Sequence, residues 1–151
     1  MTSSECQVRS ATEDDIPSIF ALVKELADYE KLPHEVKIDE EYYRHAMRDG
    51  LFESIVAVKE GEIMGTCIFF TTFSTWKGKM LHLEDFVVKE SERRTGVGKL
   101  LFESFLKIAK DKECKLVKWQ VIDWNEPAIA FYKKYNAIID KTWWDCKIIF
   151  E

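Results

Sequence analysis

The sequence predicts a mixed α/β sheet in one domain, and three observations carry that expectation. Apolar residues recur at helical spacing in several stretches, and runs rich in β-branched and aromatic residues lie between them. Glycine and proline signals mark the boundaries. The resulting order is β-α-α-β-β-β-α-β-α-β, and 151 residues are enough to bury one real core.

"QVRSAT" (residues 7–12) reads as a short first strand ending at a helix cap, where Thr12 can cap and Asp15 can answer three residues later. Pro17 falls early in the helix, where proline is best tolerated. Ile16, Ile19, Phe20, Val23, Leu26 and Ala27 then recur at helical spacing to about Tyr29. Pro33 breaks the pattern, and "DEEYYRHAMRD" (residues 39–49) reads as a second, shorter helix. "SIVAVKEGEIMGTCIFFTT" carries strand-forming runs on both sides of Glu60–Gly61, a hairpin signal. "KMLHLEDFVV" (residues 79–88) is the next strand, introduced by a turn at Lys77–Gly78. After a glycine turn, Val97, Leu101, Phe105 and Ile108 line one face of a helix running to about Lys112. "KLVKWQVID" is a further strand, "EPAIAFYKKY" a last helix, and "WWDCKIIF" a final strand.

Composition narrows the partners. The formal net charge is −5, and no basic block exists beyond the Arg93–Arg94 pair. Nucleic acid is an unsuitable partner, since phosphate neutralisation needs a broad basic face. Apolar stretches such as "IFALV" (residues 19–23) are far too short to span a bilayer, so no membrane partner is expected. "MTSSECQVRSATEDD" has no basic start followed by an apolar segment, which points to a cytoplasmic protein. Cys6, Cys67, Cys114 and Cys146 show no CxxC spacing and sit in or beside apolar segments, so buried free thiols are expected. His34, His45 and His82 lack ligand spacing, and no metal is expected.

The chemistry starts at "ERRTGVGKLL" (residues 92–101). Gly96 and Gly98 lie between a strand and a helix, with Arg93, Arg94 and Lys99 beside them. Glycine lets backbone approach a ligand, and the new helix presents unpaired N–H groups and a positive dipole end. Together these suit a pyrophosphate, although a plain turn needing glycine for its geometry would look the same. A P-loop would require GxxxxGK[ST], which is absent, and a dinucleotide fingerprint would require a third glycine where Leu101 stands.

"RRTGVG" (residues 93–98) resembles the R/Q-x-x-G-x-G/A acetyl-CoA loop of the GNAT superfamily of N-acetyltransferases. "HLEDFVV" (residues 82–88) and "WNEPAIAFYKK" (residues 124–134) are similar to segments of its spermidine/spermine (diamine) and thialysine branch, as are "KELADYEKL" and "STWKGK". The resemblance covers nearly the whole chain. It implies one GNAT domain over residues 1–151, with a mixed, mostly antiparallel central sheet flanked by helices. It also implies acetyl-CoA as cosubstrate, held at its pyrophosphate by Arg93, Arg94, Thr95, Gly96, Val97, Gly98 and Lys99. Phe86, Val87 and Val88 would run beside the pantetheine arm, with the Val87 N–H near the acetyl oxygen. Asn125 and Ala128 would contact the cosubstrate from the other side, and the family commonly pairs as a homodimer through its C-terminal half.

Acetyl transfer to an amine has a protonation problem. A lysine-like ammonium titrates near 10.4, so only about one in a thousand is neutral near pH 7. A base must take a proton, and an acid should protonate the departing thiolate. Glu84 and Asp85 are adjacent in a strand and are expected to point to opposite faces, one toward substrate, and Glu84 is the candidate catalytic base that deprotonates the amine. Ordinary exposed acids at a strand end are the alternative. By the resemblance, Tyr132 serves as the acid, and a phenol's usual value near 10 keeps it protonated at neutral pH. The resemblance also places Tyr29, Glu30 and Glu84 in the amine channel, with Asp85 nearby, Trp119 and Gln120 on the neighbouring strand, and Trp143 as an aromatic wall; packing is as good a role for Trp143 or Trp144.

This sequence departs from the spermidine/spermine pattern in two places. Ser74 stands in "FSTW" where those enzymes carry an acid, and Lys141-Thr142-Trp143 stands where they read Glu-Gly-Trp. Loss of two negative sites favours a short diamine or lysine-like amine over a long polyamine. The expected activity is direct acetyl transfer from acetyl-CoA to a small primary amine. The alternatives are an acyl-CoA-binding regulatory module without catalysis, and an acetyltransferase for protein lysines or N-termini.

Overall fold

The computed structural model describes residues 5–150. Residues 1–4, which begin the stretch read above for a leader, lie outside the described residues, as does residue 151. The chain divides into two compact units, Met1–Gln120 and Val121–Glu151.

The first unit holds one five-stranded sheet. Its strands β1 (Cys6–Ser10), β2 (Glu53–Lys59), β3 (Glu62–Ser74), β4 (Gly78–Val88) and β5 (Leu116–Lys118) lie side by side in that order. The first three pairings are antiparallel and the last, β4 with β5, is parallel. The mixed, mostly antiparallel sheet is therefore present. Among its described residues this unit has three α-helices, α1 (Ile16–Tyr29), α2 (Glu40–Arg48) and α3 (Val97–Asp111).

Each helix starts where local chemistry allows it. The Thr12 backbone N–H donates to Asp15 Oδ2 at 2.8 Å, so the answering half of the predicted capping box forms. Arg9 grips the same carboxylate at 2.7 and 3.0 Å, and its guanidinium holds Asp15 below the usual carboxylate range. α1 then buries Ile16, Ile19, Phe20 and Leu22. In α2, Asp39 accepts from the Tyr42 N–H at 3.0 Å, a side-chain N-cap.

The two sheet faces are filled differently. On one, Phe69 meets Phe105 of α3 with ring centres 5.4 Å apart, and Phe86 meets Phe102 at 5.6 Å. The α3 stripe runs through Val97, Leu101, Phe102, Phe105 and Ala109, while Ile108 is only partly buried. Gly65 of β3 lets α3 come close. A Cβ there would stand 2.8 Å from Leu101 Cδ1 and 2.9 Å from the Val87 carbonyl oxygen. On the opposite face Ile19, Val56 and Ile68 form a cluster joined by Tyr43 and Phe52.

Two expectations at the C-terminal end are corrected. The strand predicted over "KLVKWQVID" is confined to Leu116–Lys118. Among the described residues the predicted final strand is absent, and in the second unit α4 (Glu126–Lys133) is the one regular element. Residues 142–150 keep the composition of a strand, yet a strand exists only where its backbone groups join a ladder, and no strand is formed over them. Trp143, Trp144, Ile148, Ile149 and Phe150 are consequently exposed. The cysteine expectation also needs adjusting. All four are free, but only Cys67 is buried; Cys6 and Cys114 are half-buried and Cys146 is exposed.

Candidate active site

A break in strand register builds the centre of the site. Ile68 pairs with Asp85, but the next residue, Phe69, pairs with Leu83. Glu84 is therefore an extra residue on β4, a β-bulge, and bulges re-aim side chains. Leu83, opposite Phe69, and Phe86, against Phe102, belong to the α3 face although they are three residues apart. Glu84 and Asp85 instead line one cavity together, which corrects the expectation that they face opposite ways. Strict alternation fails here because the bulge adds a residue without changing face.

That cavity has a volume of about 270 Å³. Ile38, Tyr42, Tyr43 and Ala46 line it from in and before α2, Leu51 and Phe52 from the following loop, and Ile68 and Phe70 from the sheet. None of these residues was singled out from the sequence. The spacing of Tyr42, Tyr43 and Ala46 on one short helix was the available signal.

Electrostatics distinguish the two acids. Burial pushes the Asp85 carboxyl up to about 6, and the neighbouring negative charges of Glu84 and Glu30 push the same way. Glu84 is more exposed, and its Oε1 lies 3.4 Å from His82 Nε2. His82 is half-buried and stacks on Phe70 across the strands, 5.0 Å between ring centres. Burial, then Asp85 and Glu84, raise the Tyr43 hydroxyl to about 12, so it stays a neutral donor. Burial also raises the Glu30 carboxyl.

The edge of β4 next to β5 supplies a second feature. Their parallel pairing joins Met80–His82 to Leu116–Lys118 among the described residues, and Phe86 to Val88 lie further along the same edge. The Lys89 N–H donates to the Met64 carbonyl on β3 at 2.7 Å. Because N–H direction alternates along an antiparallel pair, the Val87 N–H also faces β3, and the N–H groups of Phe86 and Val88 face the β5 side.

The glycine turn leads into α3. Gly96 has φ +96° and caps the helix, with open space where a Cβ would be. At Gly98 a Cβ would meet Val88 Cγ2 and Phe86 Cζ at 3.6 and 3.7 Å, an ordinary packing distance. Arg93 is engaged elsewhere than the turn's open side. Its guanidinium lies 5.1 Å over the Tyr29 ring and 3.8 Å from Glu25 Oε1, and Glu25 also accepts from the Glu90 N–H at 3.0 Å. Glu25, unnoticed in the sequence, thus fastens α1 to the turn. Thr95 donates to the Glu92 carbonyl at 2.5 Å, while Arg94 and Lys99 are exposed.

The remaining candidates have their own settings. Trp119 packs edge-on to Phe102, 5.5 Å away, and Gln120 is exposed. In the second unit, Asn125 caps α4 by accepting from the Ala128 N–H at 3.3 Å. Tyr132 is buried, with its ring 5.7 Å from Phe131, and Trp143 is exposed. Ser74, the residue in place of an acid, accepts from the Lys77 N–H at 3.1 Å and so closes the β3–β4 turn. Among the described residues no group of three or more His, Cys, Asp or Glu side chains is placed to hold a metal, and no helix is long and apolar enough to cross a membrane.

The acetyltransferase (GNAT) family matches residues 18–137. Thialysine N-epsilon-acetyltransferase of Bos taurus is 36% identical, covering 92% of this chain and 89% of the relative. The Caenorhabditis elegans protein of the same name is 30% identical, covering 87% and 82%. Among solved structures, an aminoglycoside acetyltransferase from an uncultured soil metagenomic sample, in complex with trehalose, has a TM-score of 0.80. It is 17% identical, and the match covers 97% of each chain, a likeness of fold alone. Fold and relatives define the class as an N-acetyltransferase. The chain belongs to the GNAT acetyltransferase family.

Proposed function

We propose that this protein transfers the acetyl group of acetyl-CoA directly to the primary amine of a small substrate. The observation that carries the reading is the bulge. It turns two carboxylates into one cavity and leaves Asp85 titrating close to neutrality, where a general base works best. Acetyl-CoA supplies the activated acetyl group as a thioester. Its pantetheine arm suits the β5 side of β4 along Phe86, Val87 and Val88, and its pyrophosphate suits the N–H groups at the start of α3.

The bound ammonium gives up one proton to become nucleophilic and a second as the amide forms. One of these is replaced on the departing sulfur, so one proton is released per turnover. Asp85 is the proposed first acceptor and Glu84 the residue that attracts the ammonium, which exchanges the emphasis the sequence placed on them. Tyr132 is the proposed donor to sulfur. A cytoplasmic setting belongs to the same reading and is supported by the four free thiols. Continuous assay of coenzyme A release across short diamines, lysine analogues, polyamines and peptides tests the whole. Release with no amine would leave a non-catalytic acyl-CoA-binding module.

The cosubstrate half has its own test. A β-branched side chain at φ +96° is strained by about 1–2 kcal/mol, so Gly96→Val should push the turn out of the shape that presents its N–H groups. Acetyl-CoA affinity by calorimetry should fall at least tenfold, with the buried stripe of α3 untouched. Unchanged affinity would mean that the glycine turn is only a turn.

The proposed assembly is a homodimer that pairs residues 142–150. Their exposed tryptophans and isoleucines support it, because so large an apolar set is usually covered. Light scattering should report twice the monomer mass at micromolar concentration, and a monomer there would overturn the pairing.

A further inference from the structure

We infer that the preferred acceptor is a primary amine whose carbon skeleton ends in an aromatic or branched apolar group, with that group seated in the cavity beyond Glu84 and Asp85. This rests on the amine-acetylating reading above and names the substrate class for it. The argument begins with the walls. Apart from the two acids at the bulge, every residue lining this cavity is apolar or a tyrosine. Leu51, Tyr42 and Ile38 at its mouth are 64%, 59% and 43% exposed, an unusual concentration of apolar surface around one opening.

Within this cavity a second charge is poorly served, since among the described residues Glu84 and Asp85 are the only carboxylates that line it. A diamine seated with one ammonium at the acids would carry its other ammonium in among Phe52, Phe70 and Ala46, where no further carboxylate lines the wall. Burying an unpaired ammonium is strongly unfavourable. An apolar body meets no such penalty and covers the exposed rim. Its size is bounded as well, since about 270 Å³ lies just under the ~300 Å³ at which small-molecule pockets begin.

The test compares 2-phenylethylamine with ethylamine, which shares its ammonium and lacks its ring. Binding by calorimetry and kcat/KM by coenzyme A release are measured for wild type and Leu51→Asn. Leu51 is exposed and outside any helix or strand, so the variant should fold. Wild type should favour 2-phenylethylamine at least tenfold in both measurements, and Leu51→Asn should reduce that ratio severalfold. Equal or better use of ethylamine would overturn the apolar acceptor while leaving amine acetylation standing. Tighter binding of 2-phenylethylamine without any coenzyme A release would support the apolar seat and overturn the catalytic reading instead. A ratio unchanged in Leu51→Asn would move the ring out of this cavity and overturn the assignment.

Discussion

Asp85→Asn should lower kcat/KM by about a hundred- to ten-thousand-fold, the range for losing a positioned proton acceptor, while making the folded protein more stable at pH 7. Both effects follow from one cause. Burial, reinforced by Glu84 and Glu30, lifts Asp85 from an ordinary value of 3.8 to about 6. The folded protein therefore holds a proton that the unfolded chain has already released between those values. Stability is fully present below about pH 4 and is lost as pH rises through 6. At pH 7 the ionised carboxylate opposes folding by up to about 3 kcal/mol, since each tenfold change in an ionisation equilibrium is worth about 1.4 kcal/mol. An amide of the same shape carries no such burden. Urea melts at pH 7 should show Asp85→Asn as more stable, and the difference should vanish near pH 4. Catalysis should show the matching signature. Wild-type kcat/KM should gain a limb rising with pH through about 6 as Asp85 ionises, and the variant should lack it. A fully active Asp85→Asn would return the base to Glu84 or to water.

Much of this site was legible as composition and little of it as geometry. The glycine turn is visible in the sequence because Gly96 and Gly98 open an amphipathic helix beside cations, although a plain turn would look the same. The pair Glu84–Asp85 was visible too, but its arrangement was read by strict alternation, and the bulge overrides alternation. A trace of the bulge does exist in "LHLEDFVV". Leu81 and Leu83 are spaced by two, and Phe86 then repeats the α3 face after three. Two acids at a change of phase are a reasonable flag for an extra residue. The cavity was not legible, because its walls come from α2, the loop after it and two central strands, which meet only in the fold.

The same contrast holds for the fold. α1, α3 and the β2–β3 hairpin are local patterns, and they form with nearly the boundaries that periodicity implies. Residues 142–150 fail for the opposite reason. Their alternation is sound, but a strand is made by its neighbour, and sequence pattern does not supply one. Arg93 gives a third case. Its charge suggests an anion, and in the fold its side chain lies over Tyr29 near Glu25, contacts that the sequence does not reveal.

Tyr132→Phe should reduce kcat by roughly ten- to ten-thousand-fold without weakening acetyl-CoA binding, if the hydroxyl protonates the departing sulfur. The change is small in structural terms. Tyr132 is buried with its ring against Phe131, and phenylalanine keeps that ring, so loss of fold should not mimic loss of chemistry. Response to pH separates this defect from that of Asp85→Asn. A missing base is partly compensated as pH rises toward the amine's own value near 10, because more substrate arrives already neutral. A missing acid is not, since the thiolate's need for a proton grows no smaller in alkali. kcat/KM from pH 6 to 9.5, with one good amine, should therefore converge on wild type for Asp85→Asn and stay low for Tyr132→Phe. Full activity of Tyr132→Phe across that range would assign protonation of the sulfur to water.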